Sequence, residues 1–112
     1  MSNAFNVELS MRETPADAQE RAAAALTEPA RAIGLRLTKR GSDELGYQPR
    51  VKFPLLVSLW HRLNGEQMTV KFQPGAEGGT RVTISGAVAR SKHAMAADPE
   101  RWSEALGGSS PP

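Results

Sequence analysis

The 112-residue sequence contains no cysteine, two histidines and few aromatic residues, which make up 5% of the chain. Without cysteine there is no disulfide framework, no thiolate zinc site and no cysteine nucleophile. A zinc site needs three or four ligands at characteristic spacings. His61 and His93 lie in separate segments and do not provide that spacing. We therefore expect no metal and no other cofactor.

Long apolar segments are also missing. The longest strongly apolar stretch covers residues 53–60 and contains Pro54 and Ser58, whereas a helix that crosses a bilayer needs about 20 residues. The first twelve residues lack the basic region and the apolar core of a signal peptide. These features predict a cytoplasmic protein without a transmembrane segment, and the abundant Ala, Arg, Gly and Pro suggest a bacterial source.

No constellation of catalytic residues is recognisable. Serine hydrolases commonly place the nucleophile in a Gly-x-Ser-x-Gly turn, whereas Ser85 precedes Gly86 within an alternating segment. The glycine-rich stretch 75–80 leads into a predicted strand, not into the helix that a phosphate-binding loop requires. We therefore predict that the protein is not an enzyme and assign no catalytic residue.

The composition is that of one small globular domain. Hydrophobic residues make up 39% of the chain and the formal net charge is +2, which excludes a disordered chain of low hydrophobicity and high charge. The length also fits a single domain of about 100–150 residues. We predict one α+β domain over residues 1–106 and a disordered, Gly-, Ser- and Pro-rich tail over residues 107–112.

The N-terminal third begins with a strand and continues as a helical region. Residues 4–12 alternate, which is typical of a strand with one buried face. Thr14 followed by Pro15 predicts a capped helix start, Pro29 predicts a break into a short second helix, and Gly34 predicts its end. The predicted apolar helix stripe consists of Ala18, Ala22, Ala25, Leu26, Ala30 and Ile33.

Two strands are predicted in the middle of the chain. Residues 35–40 form one, with Leu35 and Leu37 directed inward. Residues 44–51 form the next, and Pro49 either weakens that strand or places it at a sheet edge. The side chains of this strand predicted to share one face are Leu45, Tyr47 and Pro49.

The C-terminal part is predicted as a hairpin followed by helix. Residues 67–73 and 80–89 alternate on either side of a glycine-rich turn, and Gly86 predicts a bulge or a close approach of another backbone. A helical segment over residues 91–106 is interrupted at Asp98 and Pro99. The helical residues expected to face the sheet are Ala94, Met95, Trp102, Ala105 and Leu106.

The predicted order is therefore β-α-β-β-(α)-β-β-α. Strands with one polar face need helices on the other face. We expect an α+β two-layer sandwich with a mostly antiparallel sheet of about five strands and two main helices on one face.

The segment 52–65 admits two interpretations. As a helix it begins at Pro54 and ends at Gly65, with one apolar stripe. As a strand it leads into a hairpin turn at Asn64 and Gly65. The apolar stretch 53–63 within it either caps the core or acts as a lid over an apolar pocket, a self-association surface or an interfacial anchor.

Positive charge is concentrated in the middle of the chain. Residues 35–65 carry six basic and two acidic side chains, so this block would attract an anionic partner. Nucleic-acid binding also needs aromatic side chains that stack on bases, and the nearest approach in the block is Tyr47 and Trp60. The sequence therefore disfavours nucleic-acid binding.

Residues 14–17, Thr-Pro-Ala-Asp, follow the first strand, and residues 26–29 read Leu-Thr-Glu-Pro. This pattern, with the final hairpin and C-terminal helix, resembles the START-like helix-grip superfamily (SRPBCC). The resemblance implies a curved antiparallel sheet that grips a C-terminal helix around a cavity for hydrophobic ligands. The short chain would be a truncated relative.

The biological role is not evident from the sequence. We first expect binding of a hydrophobic small molecule or lipid; the alternative is a protein-interaction or homodimerisation module that uses the 53–63 surface. Weak nucleic-acid binding through the basic middle block is the third hypothesis. The candidate ligand or partner surface consists of Tyr47, Arg50, Phe53, Leu56, Leu59, Trp60 and Arg62.

Overall fold

A computed structural model describes residues 2–49, 66–75 and 78–107. These ranges contain five strands and four helices. The strands are β1 (Ser2–Met11), β2 (Leu35–Arg40), β3 (Glu44–Pro49), β4 (Gln67–Pro74) and β5 (Thr80–Ala89). The helices are α1 (Pro15–Ala25), α2 (Thr27–Ala32), α3 (Arg90–Ala96) and α4 (Pro99–Ala105).

The five strands form one antiparallel sheet in the order β1-β5-β4-β3-β2. Among the described residues, β1 and β2 are therefore the two edges of the sheet. β3 lies inside the sheet, so the alternative that Pro49 marks an edge strand is wrong. Pro49 is the last residue of β3 and pairs with Leu35, beyond the pairing of β3 with β4, where its missing N–H removes no bond to β4.

One face of the sheet is buried under the helices; we call it the inner face and the opposite one the outer face. The strands contribute Phe5, Val7, Leu9, Met11, Leu35, Leu45, Tyr47, Met68, Val70, Phe72, Val82, Ile84 and Val88 to the core. The helices contribute Ala18, Ala22, Leu26, Ala30, Ile33, Ala96, Trp102 and Leu106. This single cluster between two layers confirms the predicted α+β sandwich.

Local interactions explain where α1 begins, where the chain breaks between α1 and α2, and where α2 ends. The Thr14 hydroxyl accepts a hydrogen bond from the Asp17 N–H at 3.4 Å, and Pro15 occupies the first turn. Pro29 lies in the first turn of α2, where a missing N–H costs little. Gly34 ends the pair with a φ of 79°, a left-handed conformation that glycine adopts without strain. The predicted helix break is confirmed.

Leu37 lies on the inner face as predicted but is not buried, and the inward assignments of Ala94 and Met95 are wrong. Leu37 is 37% exposed because it lies in edge strand β2 beside a register shift. Ala94 and Met95 are exposed as well, and Ala96 is the buried residue of α3. The predicted interruption at Asp98 and Pro99 is confirmed, because α3 ends at Ala96 and α4 begins at Pro99.

Gly86 confirms the predicted close approach. It pairs with Phe5 of β1 and Met68 of β4 without a register shift, so it marks no bulge. A Cβ atom at this position would lie 2.7 Å from the Met68 Cα atom, closer than atoms can pack. The sheet can adopt its shape here only because residue 86 has no side chain.

Candidate functional site

Tyr47 is the predicted site residue that the structure describes, and it lies on the inner face. It is opposite Leu37 of β2 and Met68 of β4 and only 1% exposed. Its hydroxyl has no hydrogen-bond partner among the described residues. Burial raises the pKa of Tyr47 to about 12, because the phenolate form would be desolvated.

The surroundings of Tyr47 are apolar and contain small side chains. The strand register places Leu37, Tyr47, Met68, Gly86 and Phe5 in one row across all five strands. Helix α1 packs against β3 and β4 and buries alanines there, Ala18 and Ala22. A hydroxyl that enters such a layer meets few groups that can bond to it.

Arg101 provides a second buried polar group without a full set of partners. Its Nη2 donates to the Pro29 carbonyl at 2.6 Å, while Nη1 is buried without a partner in the described part of the chain. The guanidinium carbon lies 4.8 Å from the centroid of the Trp102 ring. Burial lowers the pKa of Arg101, and the nearby Asp98 carboxylate partly opposes that effect. Arg101 thus holds α4 against α2.

A shallow groove of about 700 Å³ lies on the outer face. Its lining mixes polar and apolar groups, because the outward positions of the alternating strands meet there. The residues that line it are Ala4, Phe5, Asn6, Glu44, Gln67, Thr69, Lys71, Ser85 and Gly86. Glu44 is paired with Lys39 at 3.2 Å, and Lys71 is the other charged side chain of the lining.

Most of the predicted surface cannot be placed. Arg50, Phe53, Leu56, Leu59, Trp60 and Arg62 lie outside the described residues, as do the whole segment 52–65 and residues 108–112. The structure therefore does not decide between helix and strand for that segment. The self-association surface at 53–63 stays a prediction.

Sequence reasoning missed two residues that carry buried polar groups, Gln19 and Arg101. Gln19 is 6% exposed, and its amide nitrogen donates to the Gly41 carbonyl at 2.6 Å, closing the turn between β2 and β3. Arg101 was not singled out either. The position of Gln19 beside Ala18 on the inward side of α1 was the available signal, whereas nothing local identifies Arg101.

The described ranges also bear on metal binding and on membrane insertion. No group of three or more His, Asp and Glu side chains there could hold a metal ion. None of the helices in those ranges is long and apolar enough to cross a membrane.

The chain matches no protein-family model, no curated protein and no solved structure at a significant level.

Proposed function

We propose that this protein binds a hydrophobic small molecule or lipid that carries one polar group, and that the Tyr47 hydroxyl forms a hydrogen bond with that group. The observation that carries the proposal is the buried hydroxyl without a partner in the described part of the chain. Buried tyrosine hydroxyls usually find a partner, and an unsatisfied one costs about 1–3 kcal/mol. A ligand oxygen would recover that cost.

The surroundings favour a ligand that is otherwise apolar. Small-molecule sites are lined mainly by hydrophobic side chains with a few polar groups that set orientation. The row that contains Tyr47 has this character, since its neighbours on adjacent strands are Leu37 and Met68. The alanine side chains of α1 make the facing helix surface thin.

The resemblance to the helix-grip superfamily supports the same proposal. It implies a curved antiparallel sheet around a cavity for hydrophobic ligands, closed by C-terminal helix. The sheet order β1-β5-β4-β3-β2 is compatible with that arrangement. So is the order along the chain, in which α1 and α2 follow β1, and α3 and α4 follow β5. We propose a binding protein without catalysis, in the cytoplasm of a bacterium.

The test begins with protein purified from cells. Native mass spectrometry should detect a bound lipid-sized molecule, and a fluorescent fatty acid should bind and be displaced by oleate or by cholesterol. Tyr47→Phe removes the hydroxyl and keeps the ring. We expect this variant to bind the fluorescent fatty acid about fivefold to tenfold more weakly, the effect of one hydrogen bond of about 1–1.4 kcal/mol.

Thr83→Val is the matched control, because it removes a half-buried hydroxyl from the outer face and should leave fatty-acid binding unchanged. The proposal fails if the wild-type protein carries no small molecule and binds none of the probes. The assignment of the hydrogen bond to the Tyr47 hydroxyl fails if the phenylalanine variant binds the fluorescent fatty acid as tightly as wild type does.

A further inference from the structure

The two edges of the sheet differ in their protection against further strand pairing. Edge β2 exposes three basic side chains, Arg36, Lys39 and Arg40, and its register shifts between Leu37 and Lys39. Edge charges and bulges are common devices that prevent another strand from pairing. β1 has neither a basic residue nor a proline, and it pairs with β5 over ten residues without a shift.

The backbone groups that β1 directs away from β5 can be identified from two hydrogen bonds. The Phe72 N–H of β4 donates towards β3, to the Asp43 carbonyl at 2.8 Å. The Ala89 N–H of β5 donates to Glu66 just before β4, at 3.2 Å. In antiparallel strands, the N–H and C=O groups of successive residues point to opposite sides. The even-numbered residues of β5 therefore direct these backbone groups towards β1. They pair there with the odd-numbered residues of β1.

The even-numbered residues of β1 therefore direct their N–H and C=O groups to the open edge. Those with described side chains are Ala4, Asn6, Glu8 and Ser10. All four are exposed. Ala4 and Ser10 are small and uncharged, Asn6 carries an uncharged amide, and Glu8 is the one charged residue. The edge is a regular ladder of donors and acceptors with one charged side chain.

We propose that β1 pairs antiparallel with β1 of a second copy of this chain and so joins two sheets into one of ten strands. With Asn6 on the twofold axis, Glu8 lies opposite Ala4 of the second copy and Ser10 lies opposite Ser2. A register centred on Glu8 would place two carboxylates directly opposite each other, which is unfavourable. A register centred on Ser10 would pair only the end of the strand.

The asymmetry of the edges favours a closed dimer of identical chains. In the described part of the chain, β1 is the edge without basic side chains or a register shift, and a twofold axis uses both copies of it at once. The outer edges of the resulting sheet are then the two β2 strands, which carry the basic residues and the register shift. Like charges at these ends oppose addition of a third chain.

His93 controls access to this edge. Its Nε2 lies 2.8 Å from the Ala4 carbonyl oxygen, which is one of the acceptors on the open side of β1. In the proposed register this oxygen accepts a hydrogen bond from the Glu8 N–H of the second copy. The imidazole therefore competes with the second chain, and its removal should strengthen the dimer.

Sedimentation equilibrium of the full chain tests the proposal. The wild-type protein should show a monomer–dimer equilibrium, and His93→Ala should lower the dissociation constant. Asn6→Lys places two positive charges at the twofold axis and should raise the constant about fivefold, the upper range for a like-charge pair across strands. Ser85→Lys is the control, because Ser85 lies next to Asn6 in the same outer row but within the sheet.

A mixing experiment tests the register. Asn6→Lys and Asn6→Asp chains should each dimerise weakly alone but form a mixed dimer when combined, which native mass spectrometry resolves by mass. The proposal is overturned if wild type and His93→Ala are both monomeric at about 1 mM, the weak limit of specific association. It is also overturned if Ser85→Lys weakens a dimer as much as Asn6→Lys does. Circular dichroism verifies that each variant is folded.

Discussion

At the scale of single residues, the Tyr47 hydroxyl and the Arg101 Nη1 stand out as buried polar groups without partners among the described residues. The two groups differ in the other contacts that their side chains make. Arg101 keeps one hydrogen bond to Pro29 and a contact with the Trp102 ring. The Tyr47 hydroxyl keeps none in the described part of the chain, which makes it the stronger candidate for contact with a bound molecule.

The titration of Tyr47 gives a first prediction. Its folded-state pKa of about 12 exceeds the usual value of 10.0, so the unfolded chain loses the phenol proton first. The stability contributed by the neutral phenol is fully present below pH 10 and is lost as the pH rises through about 12. Tyr47→Phe should show a smaller loss of unfolding free energy over this pH range.

The measurement is direct because Tyr47 is the only tyrosine in the sequence. The absorbance of tyrosinate, followed against pH, should have a midpoint near 12 in the folded protein and near 10 in denaturant. A native midpoint near 10 would show that the hydroxyl is accessible to solvent and would remove the basis for the ligand proposal.

At the scale of elements, the corner between α3 and α4 depends on Trp102. Its indole Nε1 donates to the Ala96 carbonyl at 2.8 Å, and both residues are buried. The Asp98 side chain accepts from the Glu100 N–H at 3.0 Å and starts α4. The indole therefore satisfies a carbonyl at the end of one helix from the middle of the next.

We predict that Trp102→Phe lowers the free energy of unfolding by about 2–4 kcal/mol. The variant loses apolar volume in the core and leaves the Ala96 carbonyl without its donor. Met95→Ala in the same corner is the control; Met95 is 42% exposed, so its loss should change stability by less than about 0.5 kcal/mol. Urea unfolding measured by circular dichroism compares them. Equal stability of the two variants would contradict the role of the indole.

At the scale of the whole molecule, three side chains link the C-terminal helices to the N-terminal strand and helices by donating to backbone carbonyls. Arg101 reaches Pro29, His93 lies against Ala4, and Arg21 of α1 donates to the Leu106 carbonyl at the end of α4. Arg21 is also paired with Glu13 at 2.6 Å. These contacts fasten the C-terminal helices to the N-terminal strand and helices.

Arg21→Ala should therefore destabilise the protein by about 1 kcal/mol, because the bond to Leu106 and the pair with Glu13 are both lost. Arg31→Ala is the control: its pair with Glu28 is 3.8 Å long and both side chains are largely exposed, so stability should hardly change. Hydrogen exchange should show faster exchange in α4 for Arg21→Ala alone. Unchanged protection of α4 would contradict the proposed fastening.

The alternation of apolar residues predicted most of the inner face, because burial of one face of a strand requires a period of two. Leu37 lies on that face as predicted but is not buried, because the edge of a sheet leaves an inward side chain uncovered. In the C-terminal helical segment, the assignment of Met95 to the sheet-facing side was wrong, since Ala96 is the buried residue of α3. Of the candidate site, Tyr47 can be placed, and its burial follows from the alternation; its lack of a partner does not.

The sequence by itself determined the local elements of this protein: where strands alternate, where Thr14 and Pro15 start a helix, and where Pro29 and Asp98 interrupt one. These depend on interactions between near neighbours along the chain. Only the tertiary structure decided that β1 pairs with β5 at an unprotected edge, that Arg101 reaches Pro29 and that the Tyr47 hydroxyl is isolated. Contacts between residues far apart in sequence arise when the sheet and helices pack, and no local pattern encodes them.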